Sequence, residues 1–335
     1  MPNMHLNFPF DAELFLQEWG NAPDPIKSAM LQSEALVEDP TIASMIQHDG
    51  NLYTIPFYNV LGGAEVNYDG KTDITSSETS ADSQTGIVYG RAVGHTARDF
   101  VAELSGADPF GNIVRSVATF WQKKRQARII GILGGLFDIT GDADWGKHTV
   151  NLAKSSGTAV KISENTLNDV MTETLGDNKR LFSTVIMHSN VARTLENLQM
   201  MEFWKHTDAN GIQRPMSIGT ANGLLVIVDD GVPVDTTTTT HPKYTTYLLG
   251  KGVLRTAKGR VTLPVEKARE AAKNGGQDTL YTRIRETIHP NGFSFKVPSA
   301  GWTESPTDEQ LFAKENWVRK FDHKAIPMAR LITNG

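Results

Sequence analysis

The chain has 335 residues, of which 39% are apolar and 21% charged, so it is expected to fold into one or two domains and is not wholly disordered. The formal net charge of −5 excludes a protein that binds nucleic acid over its whole surface, and the lack of cysteine excludes thiol nucleophiles, thiolate metal sites and disulfides. The N-terminus lacks the pattern of a signal peptide, and no stretch reaches the ~18 uncharged apolar residues of a membrane span. We therefore expect a soluble protein, cytoplasmic when it is made, without membrane contact.

The first 51 residues are predicted to form an arm rather than a domain. Prolines at positions 9, 23, 25 and 40 interrupt its short apolar clusters, and proline breaks helices because it lacks the N–H donor. Short helical pieces of a few turns are expected at residues 31–36 and 42–46. Such pieces cannot bury both of their faces, so the arm is expected to lie on another surface.

Two β-rich runs follow the arm, at residues 52–60 and 87–96, and a long polar segment separates them. The segment contains Gly62, Gly63 and a run of serine and threonine, which favour an extended hairpin with little core of its own. A lone two-stranded ribbon is marginally stable in water, so a neighbouring chain is expected to supply packing surface.

The strongest local pattern predicts a long helix. Asp108 is a good N-cap residue, and Pro109 suits the first helical position. Apolar residues then recur with the helical period as far as Phe137, which predicts a helix about 40 Å long. The polar side of this helix carries a basic cluster formed by Lys123, Lys124, Arg125 and Arg128.

The middle of the chain alternates between helix and strand patterns. Ser163 is positioned to cap a helix that ends at Gly176, and Ser189 to cap a second helix. Buried strands are predicted at residues 183–187, 224–228 and 244–249. Beyond Arg260 the pattern is β-rich, and a final helix is predicted over residues 309–321.

Motifs for catalysis are missing from the sequence. It contains no phosphate-binding loop, dinucleotide fingerprint, nucleophile elbow or zinc-protease motif. His188 followed by Ser189 suggests a hydrolase, but adjacent side chains at a strand end point apart and no third group is identifiable. A structural histidine beside a helix cap is the favoured interpretation. We predict no enzymatic activity, no catalytic residue and no cofactor.

Two charged patterns remain. Asp138, Thr140, Asp142 and Asp144 alternate like the oxygen ligands of a calcium loop, but the glycine and the closing glutamate of an EF-hand are missing, so a solvated turn is favoured and no metal site is predicted. The basic cluster has the residue types that contact phosphates without regard to sequence. A solvated helix face, or salt bridges to a neighbouring subunit, explains the same pattern.

The order of these pieces resembles the Hong Kong 97-type coat-protein fold of tailed bacteriophages. The resemblance rests on an arm, a long hairpin, a long helix, an α/β middle and a late β-rich segment, and it spans nearly the whole chain. Phrases typical of phage coat proteins are Asp108-Pro109, Leu133-Gly134-Gly135-Leu136-Phe137, Val185-Ile186-Met187-His188-Ser189, and Ile218-Gly219 before Val226-Ile227-Val228-Asp229-Asp230.

The resemblance implies an α+β fold with the segments named in that family. These are an N-terminal arm at 1–51, an E-loop hairpin at 52–98, a peripheral domain with the spine helix at 99–150, an axial domain at 151–254, a peripheral β segment at 255–300, and a C-terminal segment at 301–335 that packs on the axial domain.

It also implies a function: a major capsid protein that self-assembles as hexamers and pentamers into the icosahedral shell around double-stranded DNA. Such a protein belongs to the virion and is assembled in the host cytoplasm. The arm is too short to be a built-in scaffold domain, so we expect a separate scaffolding protein besides a portal protein and non-specific contact with the packaged DNA. The basic cluster is the expected contact for the scaffold or the DNA.

Three other functions stay open at this point. An encapsulin-like nanocompartment shell shares the fold, and a soluble α/β hydrolase-type enzyme would use His188 and the acidic residues near Asp142. A phage tail or head-joining protein is a third alternative, although such proteins usually lack a spine helix. No residue pair for a Lys–Asn cross-link is identifiable by motif.

Overall fold

A computed structural model describes residues 30, 34–48, 50–59, 61, 65–73, 76, 78–105, 108–207 and 213–335. Most of the predicted arm, including residues 31–33 of its first expected helical piece, lies outside these ranges. No helix within them is both long and apolar enough to cross a lipid bilayer. The helices are α1 Pro40–His48, α2 Asp99–Ser105, α3 Pro109–Phe137, α4 Ala143–Gly146, α5 Thr166–Leu175, α6 Ser189–Asn197 and α7 Asp308–Phe312.

The strands form two large sheets and two strand pairs. They are β1 Leu36–Glu38, β2 Leu52–Tyr58, β3 Ala81–Ile87, β4 Tyr89–Arg98, β5 Thr149–Asn151, β6 Phe182–Met187, β7 Glu202–Thr207, β8 Gln213–Ala221, β9 Leu224–Val228, β10 Val234–Asp235, β11 Lys243–Gly250, β12 Leu254–Lys258, β13 Val265–Glu270, β14 Gln277–Pro290, β15 Phe293–Phe295, β16 Trp317–Arg319 and β17 Met328–Thr333.

The long helix α3 is confirmed from its predicted first residue to its predicted last. The Asp108 carboxylate accepts the Gly111 N–H at 2.9 Å, which satisfies one of the amides left free at a helix start. The N-terminal half of α3 packs Val117 and Trp121 on a five-stranded sheet. The C-terminal half, from Ile129 onward, is buried in the main core cluster between both large sheets.

Strand β14 organises the five-stranded sheet. Along one side it pairs over its first ten residues with β4, and along the other it pairs with β13 and then β12. Strand β1 adds in parallel to β12. The segment that the sequence predicted as β-rich thus forms the centre of this sheet.

The eight-stranded sheet runs β5-β17-β11-β6-β9-β8-β7, and β10 pairs with β11. Alternate residues of its central strands face opposite sides, as the strand period of two requires. Ile186 and Ile227 belong to the core cluster with α3, whereas Val185 and Val226 belong to the cluster with α5 and α6. Burial on both faces explains why these strands read as continuous apolar runs.

The predicted hairpin forms, but with a different second strand. Strand β2 pairs with β3, from Leu52 opposite Ile87 to Tyr58 opposite Ala81. The second β-rich run of the sequence, at 87–96, is instead largely β4 and pairs with β14. The pairing expected between residues 52–60 and 87–96 was therefore wrong, because the β pattern shows that a strand forms but not which partner it takes.

The final helix predicted over residues 309–321 was also wrong. Helix α7 ends at Phe312, and the chain then forms a short 3-10 turn and strand β16, which pairs with β15. Trp317 is buried and donates its indole N–H to the Leu311 carbonyl at 2.8 Å. The last strand, β17, enters the eight-stranded sheet between β5 and β11.

Two smaller expectations about the middle of the chain had different outcomes. Gly176 is the C-cap of α5 with a positive φ of 60°, as predicted. The helix begins at Thr166 without a side-chain cap, and Ser163 instead places its hydroxyl 2.7 Å from that of Thr166.

Candidate functional site

The four cations of the basic cluster separate into two pairs. Lys123 and Lys124 are exposed, whereas Arg125 and Arg128 turn toward the five-stranded sheet. Lys123 belongs to an exposed stripe of α3 with Ser116, Thr119 and Ala127, at the spacing of one helix face. Lys124 lies over the Phe120 ring at 5.8 Å, on the side of the helix that faces β4.

The two arginines belong to a buried ionic cluster centred on Glu286 of β14, which is 1% exposed. Arg125 donates from its Nε to the Glu286 carboxylate at 2.9 Å, with a second bond from Nη2. Arg128 lies 3.7 Å from the other carboxylate oxygen and donates from its Nε to Asp308 of α7 at 3.0 Å. A buried carboxylate requires such partners, so this cluster ties α3, β14 and α7 together.

Tyr89 of β4 completes the buried cluster. Its hydroxyl donates to Glu286 Oε1 at 2.9 Å, and its ring lies under the Arg128 guanidinium at 5.1 Å. Burial, together with the negative charge of Glu286, raises the pKa of Tyr89 well above its usual value. The tyrosine therefore stays protonated and remains a donor.

His188 and Ser189 do not form a catalytic relay. His188, and not the predicted Ser189, is the N-cap of α6, because its Nδ1 accepts the Asn190 N–H at 3.1 Å. The Ser189 hydroxyl and an Asp230 oxygen approach that same Nδ1, at 3.4 and 3.6 Å. A relay needs serine and aspartate on opposite ring nitrogens, so this arrangement supports the structural interpretation of the histidine.

The three aspartates of the acidic stretch bind cationic side chains of the protein itself. Asp138 pairs with Arg330 at 2.7 Å, and Asp144 pairs with Lys147 at 2.8 Å. Asp142 binds Arg319 through both oxygens and also caps α4. The hydrogen bond from Arg319 lowers the pKa of Asp142 below its usual value.

The β2–β3 hairpin is attached firmly at its base. Gln84 is 2% exposed, and its side-chain oxygen accepts the Gly292 N–H at 2.8 Å and faces His289 Nε2 at 3.2 Å. Burial lowers the pKa of His289 to about 3, so the ring is neutral and donates this Nε2–H to Gln84. The Tyr53 hydroxyl lies 2.9 Å from that of Thr287.

The far end of the hairpin has the opposite character. Tyr58, Leu61 and Tyr68 expose 80%, 74% and 92% of their surface, which is unusual for large apolar side chains in one short segment. Helix α2 presents a second exposed apolar surface through Phe100 and Leu104. The sequence predicted that the hairpin needs the packing surface of a neighbouring chain, but it did not single out these side chains or the surface of α2. A local pattern does not show which apolar residues lack a partner.

Comparison with known proteins identifies the family of this chain. No family model matches the chain. It is, however, 32% identical over 302 residues to the major capsid protein of Bacillus phage SPP1, with 89% of each chain covered. The chain belongs to the phage major capsid proteins. Proteins of this family form the shell of the virion, so the role of this capsid protein is structural.

Solved phage capsids share the fold of this capsid protein. The capsid of Ralstonia phage GP4 has a TM-score of 0.59 at 10% identity, with 90% of this chain and 87% of that chain covered. The capsid of cyanophage Pam1 has a TM-score of 0.52 at 8% identity and 87% coverage of each chain. At such identities the likeness concerns the fold alone. The predicted Hong Kong 97-type α+β fold is confirmed.

Proposed function

We propose that copies of this capsid protein assemble as hexamers and pentamers into a closed icosahedral shell around double-stranded DNA. The observation that carries this proposal is the hairpin, whose base is locked to the body while its far end exposes Tyr58, Leu61 and Tyr68. Such side chains are stabilised only when another surface covers them. Assembly takes place in the host cytoplasm, and a portal protein occupies one vertex.

A separate scaffolding protein sets the size of the shell under this proposal. Identical subunits occupy both fivefold and sixfold positions in such a shell, and each contact between them is weak. A second protein is therefore needed to select one curvature of the shell. Lys123 is the residue that we assign to this transient contact, because it lies at the centre of an exposed helix stripe without an ion pair in the described structure. Packaged DNA meets the shell by non-specific contact.

The experiment compares the chain expressed alone with the chain co-expressed with a candidate scaffold from the same genome. Negative-stain electron microscopy is expected to show sheets, tubes or mis-sized shells without the scaffold and uniform shells with it. Uniform full-sized shells from the chain alone would contradict the scaffold, and a permanent monomer under every condition would contradict shell assembly by this chain.

A charge reversal tests Lys123. We expect Lys123→Glu to weaken co-sedimentation of the scaffold roughly fivefold, since an exposed charge contact is worth up to about 1 kcal/mol. Lys161→Glu, at an exposed position outside α3, is the matched control and is expected to bind scaffold normally. If Lys123→Glu shells form normally but retain less DNA, the residue contacts DNA instead.

A further inference from the structure

A fully buried histidine lies where the end of α3 meets the C-terminal part of the chain. His148 stands between α4 and β5. Its ring stacks on Trp145 with 4.5 Å between the ring centroids, and Trp145 in turn stacks on Phe137, the last residue of α3. Histidine changes its charge near neutral pH, so the surroundings of this ring determine how the fold responds to acid.

The hydrogen bonds of His148 determine which ring nitrogen carries its hydrogen. Its Nδ1 is 2.6 Å from the Met328 carbonyl oxygen, which can only accept, so Nδ1 is the donor. Its Nε2 then presents a lone pair to Nδ1 of His323 at 3.4 Å. His323 donates its own Nδ1–H across this gap. The neutral pair therefore holds one hydrogen between the two rings.

The two rings accommodate one additional proton but not a second one. His323 is partly exposed, and its Nε2 can take a proton while its Nδ1–H still points at His148. A further proton has to go to Nε2 of His148, where it meets the Nδ1–H of His323. Two positively charged rings then face each other inside the protein. Their repulsion is relieved when the rings separate.

The carboxylates around the pair are already bound to cations of the protein. These ion pairs are Asp142–Arg319, Asp144–Lys147 and Asp138–Arg330. The Asp322 carboxylate beside His323 accepts the Lys324 N–H at 2.8 Å. Burial lowers the pKa of His148 from its usual 6.5 to about 4, and the positive charges of His323 and Arg319 act in the same direction.

The segment that covers the buried histidine also contacts the base of the hairpin. This segment, residues 320–326, joins β16 to β17, and we call it the C-terminal loop. Phe321 packs edge to face on Phe57 of β2 with 4.7 Å between the ring centroids. Lys320 pairs with Asp82 of β3 at 3.0 Å. Movement of the C-terminal loop therefore changes the contacts of the hairpin base.

We propose that His148 and His323 form a pH switch that is closed while the pair carries at most one positive charge and opens when both rings are charged. Opening separates the two rings and moves the C-terminal loop away from α4, so that water reaches His148. The switch belongs to the folded subunit and operates without a shell. In a shell, which rests on the assembly proposed above, the same opening loosens the hairpin base.

The direction of the pH dependence follows from the pKa of His148. In the open state the ring is solvated and binds its proton near the usual value of 6.5, whereas in the closed state it does so near 4. The open state is therefore favoured as the pH falls through this window, and it gains nothing further below the window. We expect the population of the open state to rise roughly a hundredfold between about pH 7 and about pH 4.

Hydrogen exchange of the full, unassembled chain measures this opening. The Lys320 N–H donates to the Gly292 carbonyl at 2.8 Å, and the Ile326 N–H donates within the C-terminal loop, so these amides are the reporters. After correction for the intrinsic effect of pH on exchange, their protection is expected to fall roughly a hundredfold across the window. The Arg283 N–H, bonded to the Pro264 carbonyl in the five-stranded sheet, is the reference and is expected to change less than about threefold.

Three substitutions separate the contributions of the rings. His148→Asn removes the titrating ring but keeps a donor for Met328, so the reporter amides are expected to lose less than about threefold of their protection. His323→Asn keeps His148 buried without a second cation opposite it, and the expected loss is about tenfold. His241→Asn is the matched control, because that ring bonds to Gly157 in another part of the chain, and it is expected to behave like the natural chain.

NMR of the natural chain with labelled histidine measures the titration without any variant. The His148 ring is identified by its contact with the Trp145 ring. Its signal is expected to change only as the pH approaches about 4. Titration of this ring near 6.5 would show that it is solvated in the folded subunit and would overturn the proposal.

Two results of the exchange experiment also overturn the proposal. An equal loss of protection in the natural chain and in His148→Asn shows that another group causes the opening. An equal loss at the reporter amides and at the Arg283 N–H shows that acid unfolds the whole subunit instead of opening the C-terminal loop. All of these measurements use the unassembled chain, so they decide the switch separately from shell assembly.

Discussion

Replacing Glu286 by glutamine is expected to lower the free energy of unfolding of the unassembled subunit by about 3 kcal/mol, because it removes a buried carboxylate that two guanidinium groups share. Arg125 loses its carboxylate partner, and Arg128 keeps only Asp308. Tyr89 also loses the charged acceptor of its hydroxyl. Urea unfolding followed by tryptophan fluorescence measures the change.

Glu266→Gln is the matched control for this prediction. Glu266 also lies on a strand of the five-stranded sheet and pairs with Arg283 at 2.9 Å, but both side chains are well exposed. Its replacement is expected to cost less than about 1 kcal/mol. The double variant Glu286→Gln with Arg125→Gln is expected to recover part of the loss, since it also removes a guanidinium group that the carboxylate binds. Equal effects of Glu286→Gln and Glu266→Gln would refute the structural role of the cluster.

The same cluster shows where sequence reasoning reaches its limit. Arg125 and Arg128 were predicted on the polar side of a long helix, but they face the five-stranded sheet, as Val117 and Trp121 do. The pattern did not show that their partner is Glu286, which for Arg125 lies 161 residues later. In a strand that alternates apolar and polar residues, the sequence pattern does not distinguish a buried charged side chain from a solvated one. Helix caps and apolar periodicity were sufficient to predict the bounds of α3, which begins after Asp108 at Pro109.

Strand pairing explains the other differences. The central strands β6, β9 and β11 were predicted within one residue at each end, because apolar runs between turn residues define them. The partners of β4 and β17 were not predictable, since pairing with β14 and with β11 brings together residues far apart in sequence. Residues 309–321 were predicted to form one helix because nothing in their own sequence shows that Trp317 pairs with Phe295 of another strand.

For the hairpin, the observed pairing determines which residues a shortened variant must keep. Replacing residues 61–79 by a short Gly-Ser linker leaves β2 and β3 intact, together with Gln84 and Tyr53 at the base. The residues of the removed loop that the structure describes are almost all exposed. The free energy of unfolding of the subunit is therefore expected to stay within about 0.5 kcal/mol of that of the natural chain. It is nevertheless expected to form no shells, which electron microscopy with scaffold present would show.

A longer replacement, of residues 64–85, is the informative contrast. It removes Gln84 and thereby leaves the buried His289 ring nitrogen and the Gly292 N–H without their acceptor. Unpaired buried donors cost about 1–3 kcal/mol each, so this variant is expected to be measurably less stable than the shorter one. If the 61–79 replacement still assembles into closed shells, the loop is dispensable and its exposed side chains have another role. If that replacement loses its cooperative unfolding transition, the loop belongs to the core.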